Sequence, residues 1–389
     1  MFLLDYASHL LYNYSRNVYE NQGKTMNNFK KKIFDGFDTD VWHRLKNTKE
    51  PILIYGMGNG ADKIISVFER YGIEYKDVFA SDGFVRGHSY RGKTVLSYSR
   101  ACEKYGDGFA VVVSFGTRLP DVMERIYALE KNHEVFAPDV PVSPDEIFYE
   151  EYFDAHEKEL EYADSLFADE KSSLVFEDTI RYKLTGKLRY LKSTEVSEPE
   201  CDKIINAEKY KVYADIGAYN GDTVRKYLGL CRNLREIYAM EPDKRNFRKL
   251  CEYAEQETRA KISTLNFAAG ASDGIAEFSS SGNRNSSKSS NGSFEHKTVT
   301  VEQRRPDSVI PYADFIKYDV EGAEYEALCG SERIIKEYKP DLLVSMYHKS
   351  SDMYSLPSLV HDLLPDASLY LRRLPYIPAW DLNLYAINK

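Results

Sequence analysis

Four residues with chemical potential sit within seven positions of one segment. KVYADIGAYNGDT carries Asp215, Gly217, Asn220 and Gly221 at the junction of an apolar run and a helical pattern. The two glycines allow a sharp turn and the close approach of a ligand, because no Cβ stands in the way. Asp215 ends its run, where a carboxylate can accept hydrogen bonds or meet a cation. The next run, EIYAMEPD, ends in Glu241. An acid at the tip of a second strand, about 20 residues beyond the glycine turn, is placed to accept from both hydroxyls of a ribose. The spacing is not GxGxxG, which points away from a dinucleotide and toward S-adenosylmethionine.

A sulfonium methyl donor needs an aligned acceptor, and a weakly nucleophilic hydroxyl also needs a base or a metal. Three candidates lie at the ends of apolar runs. His348 follows DLLVSMY, Asp319 ends DFIKYD, and Lys317 shares a strand face with Asp319, two residues earlier. His348 is the preferred base, since imidazole titrates near neutral pH. Each has a plainer alternative. His348 could hydrogen-bond its loop, Asp319 could cap the helix EGAEYEALCG, and Lys317 could pair with a neighbouring acid. Glu321 and Glu324, three apart on that helix, could bind a metal or substrate, or serve as first-turn acids suited to the helix dipole. A divalent metal is therefore left open, with no ligand set indicated.

A second glycine pattern lies upstream. IYGMGNGADKI contains Gly56, Gly58, Asn59 and Ala61, and Asp82 ends the following run. This fits a dinucleotide fingerprint in its glycine/alanine form, with phosphates at the helix start over 58–61. The alternative is a glycine turn in an empty Rossmann-like fold. Thr117 and Arg118, ending VSFGTR, could add phosphate contacts, or Arg118 could be a solvated loop charge.

The elements that must position these residues alternate strand and helix twice. Residues 1–50 read as a helical arm. Residues 51–140 carry strands at PILIYG, DVFASD, FAVVVSFG and HEVFAP, with helical spacing of Ile64, Ile65, Val67 and Phe68 between the first two. Residues 141–205 turn acidic, aromatic and helical, a connector. Residues 206–389 return to alternation and close with SLYLRRL and LNLYAIN, whose short link leaves no room for a helix. The expected fold is α/β: two Rossmann-like, doubly wound domains joined by the connector, the second with an antiparallel last strand pair. The serine-rich stretch 279–293 cannot build a core and is expected to be a mobile loop.

Several blocks in the second half resemble, in order, the FkbM family of class I methyltransferases: DIGAYNGDT, the MEPDKRNFRKL segment, NFAAGASDG, and FIKYDVEGAEYEALCGSERIIKEYKPDLLVSMYHK, with YLRRL…LYAI as the final pair. The likeness covers about 165–388, including ADEKSSLVFEDTIRYKLTGKLRYL upstream. It implies a seven-stranded sheet, S-adenosylmethionine as cofactor, and O-methylation of a hydroxyl, often on a sugar. It further implies that Asp215, Gly217, Asn220 and Gly221 line the methionine end, that Glu241 holds the ribose, that Ala268 and Ala269 lie near the adenine, and that Asp319 sits beside the methyl group. The family often has an arginine–histidine pair where this chain has Arg372 and Arg373. Upstream, Gly87, His88, Gly92 and Val95 resemble a segment of nucleotide-sugar-binding modules.

Composition narrows the partners. A net charge of -9 gives no overall attraction to phosphate backbones, so nucleic acid is not expected. No apolar run reaches membrane-spanning length. The five cysteines show no paired or metal-ligand spacing, and the opening residues lack a secretory layout, so a cytoplasmic protein is expected. The leading reading is an O-methyltransferase acting on a sugar, glycan or nucleotide-linked sugar. A catalytically silent methyltransferase-like domain fused to a nucleotide-binding module is the alternative. An NAD-dependent oxidoreductase lacks a visible Tyr-x-x-x-Lys set. A homo-oligomer is left open.

Overall fold

The computed structural model describes residues 28–85, 87, 89–279 and 298–388. Most of the expected arm, His88 and nearly all of the serine-rich stretch lie outside these residues.

The first sheet is built from β1 (Ile52–Tyr55), β2 (Asp77–Ala80), β5 (Leu96–Ser97), β6 (Ala110–Val113) and β7 (Glu134–Phe136), with a small hairpin of β3 (Ser89–Tyr90) and β4 (Lys93–Thr94) beside it. The spatial order is β5-β2-β1-β6-β7, and every pairing is parallel. ILIY and AVVV are buried at all four positions. Such runs are apolar throughout because a parallel sheet is covered on both faces. The helix Asn59–Tyr71 buries Ile64, Ile65, Val67 and Phe68, as its spacing requires, and stops at Gly72 in the left-handed region. β2 and β6 lie on opposite sides of β1. The loops after β1 and β6 therefore bound the crevice where an open sheet of this kind takes its ligand.

The second sheet contains β8 (Val212–Ile216), β9 (Glu236–Met240), β10 (Lys261–Leu265), β14 (Phe315–Tyr318), β15 (Asp341–Ser345), β16 (Ser368–Arg373) and β17 (Leu382–Ile387). Its order is β10-β9-β8-β14-β15-β17-β16. β17 runs antiparallel to both neighbours, so it alone is reversed. Between the sheets' main elements, β11 (Ala268–Ala269), β12 (Gly274–Ser279) and β13 (Thr298–Arg304) form a separate three-stranded sheet that the sequence did not disclose.

The helices Glu150–Ala155, Glu157–Ser165, Glu170–Thr185, Leu188–Lys192 and Glu198–Asp202 fill the segment between the sheets. They are packed, not tethering. Phe153, Leu160, Val175, Phe176 and Ile180 share one core with β8, β14, β15, β16 and β17. On the same helix as Val175, Tyr182 faces the other core, and its hydroxyl donates to the Ala137 carbonyl at 2.6 Å. Arg372 and Arg373 belong to this packing. Arg372 Nη2 meets Asp169 at 2.6 Å; Arg373, fully buried, donates to the Leu191 carbonyl and faces Glu195 at 3.4 Å.

Candidate active site

β8 and β14 are adjacent and parallel, and their register sets Asp215 opposite Lys317. Lys317 Nζ lies 3.3 Å from Asp215 Oδ1, 3.3 Å from the Gly217 carbonyl and 3.6 Å from Asp319 Oδ2. Thr223 Oγ1 donates to the other Asp215 oxygen at 2.5 Å. Burial alone would lower the Lys317 pKa, but Asp215 and Asp319 outweigh it and raise it. Of the two readings of Lys317, the structure displays the pairing with neighbouring acids.

Gly217 (φ 90°) crosses directly over the chain after β14, and a Cβ there would collide with the Asp319 carbonyl oxygen. Both Gly217 and Ala218 donate their backbone N–H to the Met240 carbonyl, at 3.0 and 2.9 Å. Asn220 is half-buried, and Gly221 (φ 82°) opens the helix Asp222–Leu230. Glu241, 6% exposed, accepts from the backbone N–H of Tyr219 and Asp243, each at 2.8 Å. Burial nevertheless pushes its carboxyl up to about 7, against those two donors. Ala268 and Ala269 lie just past β10 but in the small sheet, paired to β13.

Asp319 follows β14 and is one-third exposed. It caps no helix. The next helix is Glu324–Cys329, and there Glu324 reaches back to accept from the Val320 N–H at 2.7 Å. That return closes a tight turn with Glu321 (φ 57°) and Gly322 (φ 99°) in the left-handed region. His348, 1% exposed, enters from the end of β15. Its Nδ1 lies 3.0 Å from Glu324 Oε1, at ion-pair distance but outside hydrogen-bond geometry. Its Nε2 faces Asp319 Oδ1 at 3.7 Å and Glu321 Oε2 at 3.8 Å. Burial alone would lower the imidazole pKa; Glu324, Asp319 and Glu321 reverse that and raise it to about 9. The three acids thus favour the protonated ring. Asp319, one-third exposed, is a second acceptor at this point. Tyr347, whose hydroxyl donates to Asp319 Oδ1 at 3.3 Å, was missed, because a tyrosine in an apolar run carries no distinguishing signal.

In the first domain, Gly58 (φ 111°) opens the helix at Asn59 with no atom near its missing Cβ, while Ala61 is buried. Gly60, absent from the expected set, is the glycine that lets the helix press on the Ser114 carbonyl, and Gly56 is covered by the Phe115 ring. Asp82 is tied to the next helix. It lies beyond β2, and its carboxylate accepts from the Ser99 hydroxyl and backbone N–H at 2.5 and 3.1 Å. It links the end of β2 to the start of the helix Tyr98–Tyr105.

The carboxyl ends of the two sheets meet. Thr117 and Ile377 exchange backbone hydrogen bonds at 2.8 and 3.0 Å, and Gly116 abuts the Trp380 ring. Ser143 donates its backbone N–H to the His348 carbonyl at 3.1 Å, and its hydroxyl to the Glu321 carbonyl. Arg118 is exposed beside this junction.

This strand order, with a glycine turn after β8 and acids after β9 and β14, defines a class I methyltransferase domain. Residues 215–374 match the model of the methyltransferase FkbM domain. The chain thus carries an FkbM methyltransferase domain, which implies S-adenosylmethionine as methyl donor. The crystal structure of methyltransferase FkbM from Methylobacillus flagellatus KT superposes with a TM-score of 0.64 at 18% identity, over 92% of this chain and 93% of that one. At that identity the likeness is one of fold, and it spans both domains. Precorrin-6y C5,15-methyltransferase from Geobacter metallireducens GS-15 has a TM-score of 0.31 at 10% identity, over 50% of this chain and 90% of that one. Aeropyrum pernix fibrillarin, in complex with S-adenosyl-L-methionine, has 0.29 at 14%, over 47% and 69%. No curated protein matches the sequence.

Proposed function

We propose that the protein methylates a hydroxyl of a sugar, glycan or nucleotide-linked sugar, in the cytoplasm. The observation that carries this reading is the meeting of Asp215, Lys317 and Asp319 at the carboxyl end of the second sheet, directly across from the loops of the first. Gly217–Gly221, Glu241, Ala268 and Ala269 would hold S-adenosylmethionine, with Asp319 beside the electrophilic methyl group it would supply. An acceptor oxygen attacks the methyl carbon, the S–CH3 electrons return to sulfur, and the hydroxyl proton passes to Asp319. Lys317 holds both acids in place from between them. The helix start at Gly58–Asn59 and the Arg118 side chain supply positive potential for a phosphate on the acceptor. Among the described residues no helix is long and apolar enough to cross a membrane, and the five cysteines are free, which fits a reducing compartment.

The test is transfer of labelled methyl from S-adenosylmethionine to a panel of nucleotide sugars and free glycosides. Acceptor-dependent release of S-adenosylhomocysteine supports the reading. Tight binding of S-adenosylhomocysteine with no transfer to any acceptor favours a catalytically silent domain, and absence of that binding overturns the cofactor site.

A further inference from the structure

His348 is almost fully enclosed, yet its Nε2 looks into a gap between two carboxylates at 3.7 and 3.8 Å, too far for a hydrogen bond to either. The other ring nitrogen is backed by Glu324, itself inaccessible to water, at 3.0 Å. A carboxylate behind an imidazole whose far nitrogen points at further acids is the arrangement that orients a metal-binding histidine. Asp319, Glu324 and His348 each place one ligand atom within 4.8 Å of the others. Two carboxylates and an imidazole at bond lengths of about 2.1 Å stand roughly 3.0–3.4 Å apart around one ion. From Nε2, the Asp319 and Glu321 oxygens at 3.7 and 3.8 Å would each draw in by roughly half an ångström.

We infer that His348 Nε2, Asp319 Oδ1 and Glu321 Oε2 form a binding site for one divalent cation, with Glu324 orienting the imidazole from behind. The ligand set, one nitrogen and two carboxylate oxygens, suits a first-row ion such as Mn²⁺. Asp319 Oδ1 also accepts from Tyr347, and a carboxylate oxygen has lone pairs for both. The ion's open positions face the place assigned to the acceptor, where it would bind the hydroxyl oxygen and make that hydroxyl easier to ionise. The chemical role rests on the proposed function; the binding site does not.

Mn²⁺ is titrated into the chelator-stripped full chain and the free-ion electron paramagnetic resonance signal is followed. The expected result is one saturable site, lost in His348→Gln and weakened about tenfold in Glu321→Gln, whose exposed side chain makes misfolding a poor explanation. S-adenosylhomocysteine affinity is measured by calorimetry on the same metal-free samples, so that a failed cofactor site is recognised separately. The inference is overturned if wild-type protein shows no saturable site up to millimolar Mn²⁺, or if both variants bind it as wild type does.

Discussion

Lys317 and Asp215 stand opposite one another on neighbouring parallel strands, and their charges meet 3.3 Å apart with almost no access to water. Such a pair adds little net stability when whole, but losing one member strands the other charge. Lys317→Met should therefore lower unfolding free energy by about 3–5 kcal/mol. Urea denaturation followed by circular dichroism measures this, and a change below about 1 kcal/mol would refute the pairing.

Glu241 sets a pH dependence. Its carboxyl is raised from an ordinary 4.5 to about 7, chiefly by burial. The folded protein thus holds a proton there that the unfolded chain releases, and this group's contribution to stability declines as pH rises from 4.5 to about 7. Cofactor binding runs the other way, since ribose hydroxyls donate to the ionised form. From pH 6 to 8 the ionised fraction grows from roughly a tenth to nine-tenths, so S-adenosylhomocysteine should bind about tenfold more tightly at pH 8. Calorimetry across that range, with Glu241→Gln as the flat control, decides it.

Gly217→Ala should abolish cofactor binding. The methyl group would strike the Asp319 carbonyl, and φ 90° disfavours any side chain. The cost is about 3 kcal/mol or more, because either strand end must move. A variant that binds S-adenosylhomocysteine normally would show that the turn relaxes without consequence.

Asp319→Asn separates binding from chemistry. Turnover should fall by about 10²–10⁴ if this carboxylate takes the acceptor proton. S-adenosylhomocysteine affinity, dominated by the Gly217–Gly221 turn and Glu241, should change less than about threefold. Equal losses in both would make Asp319 a cofactor ligand only.

The turn-forming glycines and strand-end acids were readable because they obey local rules. A glycine at positive φ and a carboxylate at a strand tip each leave a mark in the sequence at fixed spacing. What Lys317 and His348 do was not readable. Lys317 is defined by the register of β8 against β14, a contact between residues 102 positions apart. His348 is surrounded by Asp319 and Glu321 in the loop after β14 and by Glu324 at the start of the next helix. Asp82 had the right spacing, yet Ser99 claimed its carboxylate. The small sheet of β11, β12 and β13 escaped notice because Ala268–Ala269 is too short to show a period.

The helix Glu170–Thr185 has a consequence for how this molecule comes apart. Val175, Phe176 and Ile180 are anchored in one lobe, while Tyr182, Leu188 and Leu191, on it and just beyond, are anchored in the other. Neither lobe can melt without pulling that shared beam out of its neighbour. Heating should produce a single cooperative endotherm rather than two, and proteases should find no intermediate cut that frees an intact half.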